Sequence, residues 1–384
     1  MSDPAHIDVV KPEELTAEDI ALWQSFVAMR EDLQGPYFDV RYAQAAGQVV
    51  PEARIARLKN NEGRVIGYLP YQVRGRTLQP LGAPMSDYHG LISANDTHID
   101  YRKVLKKLKA SRLEYAGWVG EIDDSGKTVQ LVSQVADLSD GYDAYLARHS
   151  AESIKFYKNV ARCQRNVEKD FGGFTFNFGM VTPEVLRWVT ELKRQQYVRS
   201  GMHDVFACGW TFDLLLQLAQ IDDADYGLRV GTLHHGEVLV AAEICLLNGH
   251  VLHLWFPAYA ESYQRYSPGI LLSLRIMEYM SGRGVTKVDF GAGGEGYKHT
   301  MTSPGAICLE GSVRTQAAIL SLVADTVEAL TPVAKGRVKG VRLSLNRRLR
   351  IIRACETESA GRKAAFRGLW RRAISRLSRS RRAA

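Results

Sequence analysis

Three ionisable side chains stand where the sequence predicts neighbouring β-strands, and together they could move a proton. Glu243 lies in the middle of the apolar run 240–245, so we expect burial to raise the pKa of its carboxyl towards that of a useful base. His253 follows on the next predicted strand as a second candidate base, and Asp289 ends a third strand, where it could orient a substrate. Each could instead be a hydrogen-bonded structural polar group.

The elements that would position these side chains form an antiparallel meander, a helix and a further strand. Asn248-Gly249 between two β-prone runs is the strongest short signal for a tight hairpin. The helix starts at Pro268-Gly269, which leaves free backbone N–H groups that suit a phosphate. The predicted strands span residues 227–234, 237–247, 250–257 and 286–290, and the helix spans 269–281. We expect a crevice where this sheet opens.

The turn after the last of these strands, residues 291–296, formally matches the G-x-G-x-x-G fingerprint of a dinucleotide site. That fingerprint opens a long helix inside a parallel β-α-β unit. Here Pro304-Gly305 ends any helix within two turns, and the preceding strands are predicted to be antiparallel. We therefore expect these glycines to let the backbone approach a ligand, or simply to form the turn.

Three motifs, taken in order, resemble the GNAT superfamily of acyl-CoA N-acyltransferases, and in particular its CelD-like branch, which is related to the FemAB aminoacyl transferases. The motifs are Tyr266-Ser267-Pro268-Gly269-Ile270-Leu271-Leu272, Asp289-Phe290-Gly291 and Tyr297-Lys298. The resemblance implies an α/β (α+β) fold with two tandem GNAT-like units, each a mixed, mostly antiparallel sheet flanked by helices. A Ser-Pro-Gly turn stands where other GNAT proteins have a glycine-rich pyrophosphate loop, so CoA binding follows from position and resemblance.

The resemblance also implies roles for individual residues. Acetyl-CoA or another acyl-CoA would bind at Ser267, Pro268, Gly269, Ile270 and Leu271. Lys298 would neutralise a phosphate or the developing oxyanion, and Tyr297 would protonate the departing thiolate. The acceptor would be held by a loop of the first unit, Asp87, Tyr88 and His89. The alternatives are a surface lysine, a tyrosine at the edge of the core and a polar turn.

A basic stripe follows one face of a long helix predicted from Ser153 to Phe171. Its members recur at steps of three or four residues: Lys155, Lys158, Arg162, Arg165 and Lys169. This stripe could bind the phosphates of CoA or of a nucleotide- or lipid-linked sugar. A solvated charged face is the alternative.

Charge divides the chain into a mildly acidic body and a basic tail. Residues 333–384 hold 17 Lys/Arg and two acids, which leaves 33 basic and 40 acidic residues elsewhere. We expect an acceptor-side unit over residues 1–150, an acyl-CoA-side unit over 151–332 and the tail beyond. Within the tail, apolar residues recur at helical spacing among arginines: Phe366, Leu369, Trp370, Ala373 and Leu377. Such a helix suits an anionic bilayer surface; an RNA-binding or disordered tail is the alternative.

The five cysteines are scattered and form no C-x-x-C pair, which argues against a disulfide framework or a zinc cluster. We predict no metal. The sequence shows no secretory signal pattern and no uncharged apolar run of roughly 20 residues. We therefore expect a cytoplasmic protein, with the inner face of the cell membrane as a candidate peripheral location.

These features predict an acyl-CoA-dependent N-acyltransferase, with acetyl as the expected acyl group and an amino sugar or glycan as acceptor in the assembly of bacterial surface polysaccharide. The link to polysaccharide comes from the resemblance alone. One alternative is a FemAB-like transferase that uses aminoacyl-tRNA to modify peptidoglycan precursors. A second is a non-catalytic adaptor that keeps the fold and docks on a membrane.

Overall fold

The structure is a computed structural model that describes residues 4–95, 97–122, 128–293, 296–315, 335–358, 361, 362 and 365, with the backbone alone for 335–344. The first half alternates strands and helices along the chain. Its elements are β1 (His6–Val10), α1 (Ala17–Ala28), α2 (Val40–Val49), β2 (Ala53–Lys59), β3 (Val65–Arg74), β4 (Thr77–Pro80), β5 (His89–Gly90), β6 (Ile92–Ser93), α3 (Tyr101–Lys107), β7 (Arg112–Val119) and β8 (Val129–Asp137).

The second half begins with two helices and ends with a helix that follows the last strand. Its elements are α4 (Tyr142–Glu152), α5 (Ile154–Phe171), β9 (Thr175–Met180), α6 (Pro183–Ser200), α7 (Trp210–Ala219), β10 (Tyr226–His235), β11 (Val238–Asn248), β12 (Val251–Tyr259), α8 (Pro268–Ser281), β13 (Lys287–Ala292), α9 (Lys298–Met301), β14 (Ser303–Arg314) and α10 (Lys335–Cys355). The mixed α/β class predicted from the sequence is confirmed.

One continuous sheet joins both halves of the described chain, because the halves exchange their last strands. Its order is β1-β2-β3-β4-β7-β14-β8-β13-β12-β11-β10-β9, with β5 on β7 and β6 on β3. Strand β8 of the first half pairs with β13 of the second, while β14 of the second half pairs with β7 of the first. Each half therefore completes its sheet with a strand from the other, and either half alone would leave a strand edge unpaired.

The predicted meander is confirmed, and its sheet opens where the sequence placed a crevice. Strands β11 and β12 are antiparallel and are joined at Asn248-Gly249, where Gly249 has a φ of +54°. Strands β12 and β13 run parallel and pair only at their first three positions, the last being His253 with Asp289. Beyond that pair the two strands diverge, which leaves a gap between their carboxyl-terminal halves.

Helix α8 packs on one face of the sheet, against the strands β10, β11 and β12 that lie beside this gap. Leu272, Ile276 and Met277 are buried against the strands. Gly231 on β10 permits the close approach, because a Cβ there would lie 2.6 Å from Ile276 Cδ1. Full burial of such side chains stabilises the fold by about 1.5–3 kcal/mol each. This packing fixes the start of α8 beside the end of β12.

The predicted long helix is present as α5, and Ser153 stands at its start without a capping hydrogen bond from its side chain. The predicted tail helix from Phe366 onward lies outside the described residues. No helix in the described ranges is both long enough and apolar enough to cross a bilayer.

The segment assigned to the basic tail begins with a helix that packs on the body. Ile352, Ala354 and Cys355 at the end of α10 are buried. Arg74 donates from Nε to the Ala354 carbonyl oxygen at 3.0 Å, and Trp210 donates from Nε1 to the Cys355 carbonyl oxygen at 3.3 Å. These contacts link α10 to both halves of the chain, so at least residues 345–355 contribute to the globular core.

Candidate active site

A cavity of about 400 Å³ lies at the opening between β12 and β13 and is lined by both halves of the chain. The second half contributes the diverging strand ends, including Leu254, Trp255 and Gly291. The first half contributes the segment after β4, and α10 forms a further wall. Five of the residues predicted for the site line this cavity: Asp87, His89, Glu243, Tyr297 and Lys298.

Glu243 is a buried carboxyl that lines this cavity. It lies on β11 opposite Gly231 and Pro257, is 3% exposed, and its Oε1 has no hydrogen-bond partner among the described residues. Burial raises the pKa of Glu243 to about 8, against the opposing positive charges of Lys193, Lys298 and His253. A carboxyl with this pKa can take up a proton near neutral pH.

His253 lies between two carboxylates that come from different halves of the chain. Its Nε2 is 3.0 Å from Asp87 Oδ2, and its Nδ1 is 3.4 Å from Asp289 Oδ2. The ring is fully buried. Burial works to lower the pKa of His253, but the hydrogen bonds to Asp289 and Asp87 and their charges outweigh it and raise the pKa to about 9. The imidazole is therefore a cation near neutral pH. Its Nε2 is hydrogen-bonded to Asp87, whereas Nδ1 faces Asp289 as an ion pair and makes no hydrogen bond of good geometry among the described residues.

Asp289 continues this chain of polar contacts into the core. The Tyr88 hydroxyl donates to Asp289 Oδ1 at 3.1 Å, and the Gly291 N–H donates to the same oxygen at 2.7 Å. Tyr88 and Asp289 do not line the cavity, whereas Asp87 does, with 41% of its side chain exposed. The predicted acceptor loop and the predicted strand residues are thus brought together through His253.

A β-bulge in β12 is the feature that sequence reasoning missed. Ile244 of β11 faces Phe256 and Cys245 faces Leu254, so Trp255 stands outside the register. The bulge lies at the cavity, which Trp255 lines, and bulges recur beside active sites where they release backbone groups from pairing. A signal was present in Pro257, which cannot donate a hydrogen bond to a ladder and is typical of strand irregularities.

Lys298 and Tyr297 follow β13 and line the same cavity. Lys298 donates from Nζ to the Phe290 carbonyl oxygen at 2.9 Å, which holds its charge beside the diverging end of β13. Its positive charge also acts on Glu243. Tyr297 is partly buried at the start of α9.

The Ser-Pro-Gly turn forms the start of α8 at the edge of this arrangement. Ser267 adopts a left-handed conformation with φ +52° and makes no side-chain cap. A Cβ on Gly269 would lie 3.7 Å from the Tyr259 ring at the end of β12. Five predicted CoA contacts, Ser267, Pro268, Gly269, Ile270 and Leu271, lie here and do not line the cavity. Ser273, one turn further along α8, does.

The basic stripe of α5 lies outside the cavity. The side chains of Lys155, Lys158, Arg162 and Arg165 are exposed, and Arg162 donates to Asn159 on its own helix at 2.7 Å. The opposite face of α5 packs against the turn before α8, where Cys163 Sγ lies 3.8 Å from Ser267 Oγ. The stripe is therefore on a helix that borders the predicted CoA turn, away from the predicted acceptor loop.

His89 lines the cavity from the side of the first half. Its Nε2 accepts a hydrogen bond from the Ala116 N–H at 3.3 Å. Burial, followed by the charge of Arg350, lowers the pKa of His89 to about 3. His89 is therefore neutral and could contribute hydrogen bonding or shape to a ligand site, but no charge.

The described chain also matches a known family over its second half. Residues 155–299 match the family model described as an acetyltransferase (GNAT) domain. This segment holds most of the meander, α8, β13 and the residues Glu243 and Lys298. The match supports the predicted GNAT superfamily and an acyltransferase, whereas the CelD-like branch stays a prediction. A search of curated proteins found no match.

Solved structures of similar shape share little sequence with this chain. The C-terminal domain of a putative lysylphosphatidylglycerol synthetase from Agrobacterium fabrum is 13% identical, with 81% of this chain and 96% of that one covered and a TM-score of 0.48. A tandem GNAT protein from the clavulanic acid biosynthesis pathway is 13% identical, with 80% and 98% covered and a TM-score of 0.47. FemX is 11% identical, with 82% and 99% covered and a TM-score of 0.49. At these values the similarities say nothing about substrates.

Proposed function

We propose that this protein is an acyl-CoA-dependent N-acyltransferase that transfers its acyl group directly to an amine. The observation that carries the proposal is the environment of Glu243. This residue is a buried carboxyl with an unpaired oxygen and a pKa raised to about 8, and it lines a cavity at the point where two strands diverge. An enzyme that acylates amines needs such a base, because an ammonium must lose a proton before its nitrogen can attack.

In this proposal the acceptor ammonium enters between Asp87 and Glu243, which both line the cavity. Glu243 removes one proton, and the nitrogen lone pair attacks the thioester carbonyl carbon. A C–N bond forms while the carbonyl π electrons move to oxygen. The oxyanion would be stabilised by a backbone N–H released at the Trp255 bulge and by the charge of Lys298.

Collapse of the tetrahedral intermediate then breaks the C–S bond. The electron pair leaves on sulfur, and Tyr297 supplies the proton that converts the thiolate of CoA into a thiol. The second proton then passes from nitrogen to the Tyr297 phenolate, directly or through solvent, which gives the neutral amide and restores the Tyr297 hydroxyl. His253 acts as a positioning residue here, because it is fully buried, does not line the cavity and forms ion pairs with Asp87 and Asp289.

The donor would lie along the gap between β12 and β13, with its diphosphate at the start of α8. At the start of this 14-residue helix the N–H groups of Ile270 and Leu271 donate to the Ser267 carbonyl oxygen. Among the described residues this leaves the Gly269 N–H, together with the positive end of the helix dipole, for a phosphate. Ser267, Pro268, Gly269, Ile270 and Leu271 are proposed as the contacts. Lys155, Lys158, Arg162 and Arg165 on the neighbouring α5 are proposed to attract the CoA phosphates.

We propose acetyl as the acyl group and an amino sugar or glycan as the acceptor, in the assembly of a bacterial surface polysaccharide. The carboxylate of Asp87 suits an ammonium, and the choice of a sugar rests on the family resemblance of the motifs. An aminoacyl-tRNA-dependent reaction and a non-catalytic adaptor are the competing functions, and neither requires free acyl-CoA to bind.

Calorimetry with acetyl-CoA on the full chain tests the donor. We expect saturable binding, and no binding up to millimolar concentration would exclude the proposed donor. Acetylation of a panel of amines, including D-glucosamine, tests the reaction. With an active acceptor, Glu243→Gln should lower kcat by about 10²–10⁴-fold, while the matched control Glu237→Gln, which alters an exposed carboxyl between β10 and β11, should leave it unchanged.

A further inference from the structure

Helix α10 contributes arginines to the lining of the cavity that Glu243 also lines. Arg347 and Arg350 both line the cavity, and both bind the buried carboxylate of Glu310. Arg347 Nη2 is 2.6 Å from Glu310 Oε2, and Arg350 Nη1 donates to the Tyr115 carbonyl oxygen at 2.9 Å. These contacts hold two guanidinium groups at the cavity. Neither arginine was among the predicted site residues.

Arg347 and Arg350 form an arginine wall of the cavity, and the cluster around them holds more guanidinium groups than carboxylates. One step further along α10, Arg353 pairs with Glu114, which also lies 3.2 Å from Arg112. Together with Arg347 and Arg350 on Glu310, four guanidinium groups share two carboxylates. Burial works to raise the pKa of Glu310, but the hydrogen bond from Arg347 and the charge of Arg350 outweigh it and lower that pKa. Glu310 therefore stays ionised, and the cluster keeps a surplus of two positive charges.

Within this cluster, Arg347 has a guanidinium donor that is open to the cavity. Its side chain is 46% exposed, and its Nη1 has no hydrogen-bond partner among the described residues, because Glu310 occupies only Nε and Nη2. Arg350 beside it is 18% exposed. Neutral His89 adds no charge to this wall. A guanidinium donor left open at a cavity is suited to a phosphate or carboxylate oxygen.

Other residues of the lining have the reverse preference. Asp87 offers a carboxylate that is 41% exposed, and Glu243 offers the unpaired oxygen described above, with Lys298 acting on it. A single ligand that fills the cavity would therefore meet acceptor groups suited to an ammonium and guanidinium groups suited to an anion. An amine without an anionic group would make no ion pair with the arginine wall.

We infer that the acceptor carries an anionic group, a phosphate or a carboxylate, at a distance from its reactive amine, and that Arg347 and Arg350 bind that group. This inference rests on the proposed function, since it takes the amine to be the group acylated at Glu243. It narrows the acceptor class to zwitterionic amines. It also gives a substrate-binding role to α10, which lies in the basic tail predicted from the sequence.

Binding of three amino sugars tests whether the anionic group is a phosphate or a carboxylate. Calorimetry in the presence of saturating CoA compares D-glucosamine, its 6-phosphate and muramic acid, which carries a carboxylate. We expect the phosphate, the carboxylate or both to bind about tenfold or more tightly than D-glucosamine, as an added charged hydrogen bond implies. The tighter of the two anionic ligands identifies the group, and equal binding of all three overturns the inference.

A pair of variants on one helix assigns the site. Arg347→Gln should remove most of the preference for the anionic ligand, and Glu310 keeps Arg350 as its partner in this variant. Arg348→Gln is the matched control, because it removes the same charge at the next position of α10 but does not line the cavity. Equal effects of the two variants would overturn the assignment.

The same variants separate this inference from the proposed function. Acetyl-CoA binding is measured in parallel on both, and we expect Arg347→Gln to leave it unchanged. If Arg347→Gln weakens acetyl-CoA binding instead, the arginines bind the CoA phosphates and the acceptor assignment is wrong. If acetyl-CoA binds to none of the proteins, including the unaltered chain, the proposed function itself fails.

Discussion

His253 Nε2 lies 3.0 Å from Asp87 Oδ2, and this contact connects the buried centre of the second half of the chain to a loop of the first. Asp289 forms an ion pair with the other ring nitrogen at 3.4 Å, so a single imidazolium stabilises two carboxylates, of which Asp87 lines the cavity. Removing the imidazolium would leave two nearby negative charges without their shared cation. The stability of the fold and the shape of the site therefore depend on the same proton.

The free energy of unfolding should fall as the pH rises from about 6.5 to about 9. The folded protein raises the pKa of His253 to about 9, above the ordinary value of about 6.5. The stabilisation is therefore complete below pH 6.5, where folded and unfolded chains both bind the proton, and is lost as the folded state releases it near pH 9. Glu243 adds a loss of the same sign over a lower range, because burial raises its pKa from the ordinary 4.5 to about 8 and its ionisation in the folded state costs stability across that window.

Urea unfolding across this pH range measures the effect. His253→Gln should flatten the pH dependence and lower the stability at pH 6.5. His250→Gln, which alters an exposed histidine in the adjacent hairpin, should behave like the unaltered protein. A His253→Gln variant with an undiminished pH slope would show that the Asp87–His253–Asp289 contacts do not control it.

Acyl transfer by the unaltered enzyme should speed up with pH along a limb with an apparent pKa near 8. The base must be ionised to accept a proton, and burial raises the pKa of Glu243 to about 8. The measurement is kcat at saturating acyl-CoA and acceptor between pH 6 and 9.5. A flat profile, with chemistry shown to be rate-limiting, would argue against Glu243 as the base.

Lys298→Ala should lower kcat by about tenfold or more without unfolding the protein. The side chain holds a positive charge at the diverging end of β13 through its 2.9 Å hydrogen bond to the Phe290 carbonyl oxygen. Thermal unfolding checks the fold, and steady-state kinetics separates kcat from KM. His299→Ala, at the exposed next position, serves as the control. Unchanged turnover in Lys298→Ala would remove this residue from the site.

A chain that ends at residue 332 should be much less stable than one that ends at residue 358. The shorter chain lacks α10, so it loses the burial of Ile352 and both partners of the buried carboxylate Glu310. Removing the partner of a buried ion pair costs about 3–5 kcal/mol. Thermal unfolding of the two chains measures the difference. Equal melting temperatures would mean that α10 does not stabilise the body.

Binding to anionic lipid should be lost when the chain ends at residue 365. The tail beyond combines Phe366, Trp370 and Leu377 with arginines at helical spacing, and each basic side chain near an anionic surface contributes about 1 kcal/mol. Co-sedimentation with vesicles that contain phosphatidylglycerol compares the full and shortened chains. The shortened chain keeps α10, so lost binding could not be attributed to unfolding. Equal pelleting would refute the role of the tail.

The local elements near the site could be predicted because their signals are local. Asn248-Gly249 allows the turn of a tight hairpin, and Pro268-Gly269 marks the start of a helix. The apolar neighbours of Glu243 predicted its burial correctly, because alternate residues on a strand share one environment. Five of the predicted site residues line one cavity. Of these, Glu243 lies at the centre of a predicted strand, whereas the other four were predicted on a loop and after a turn.

Contacts between residues far apart in the sequence could not be predicted from these local patterns. The exchange of β8 and β14 between the halves depends on strand pairing over long separations, and no residue pattern specifies a partner. The same holds for Arg347 and Glu310, which are 37 residues apart in sequence. His253 illustrates the limit most clearly, since its residue type permits a base, a ligand or a buried cation.

The amino-acid sequence by itself determined the strands, the turns and the burial of the polar residues, because those follow from side-chain periodicity and backbone preferences within a few residues. Only the tertiary structure decided which of the polar groups remained unpaired. Asp87 and Asp289 reach His253 from distant parts of the chain and hold it as a cation, whereas no comparable partner reaches Glu243 Oε1 among the described residues. The difference between a positioned histidine and an available carboxyl is therefore a consequence of packing.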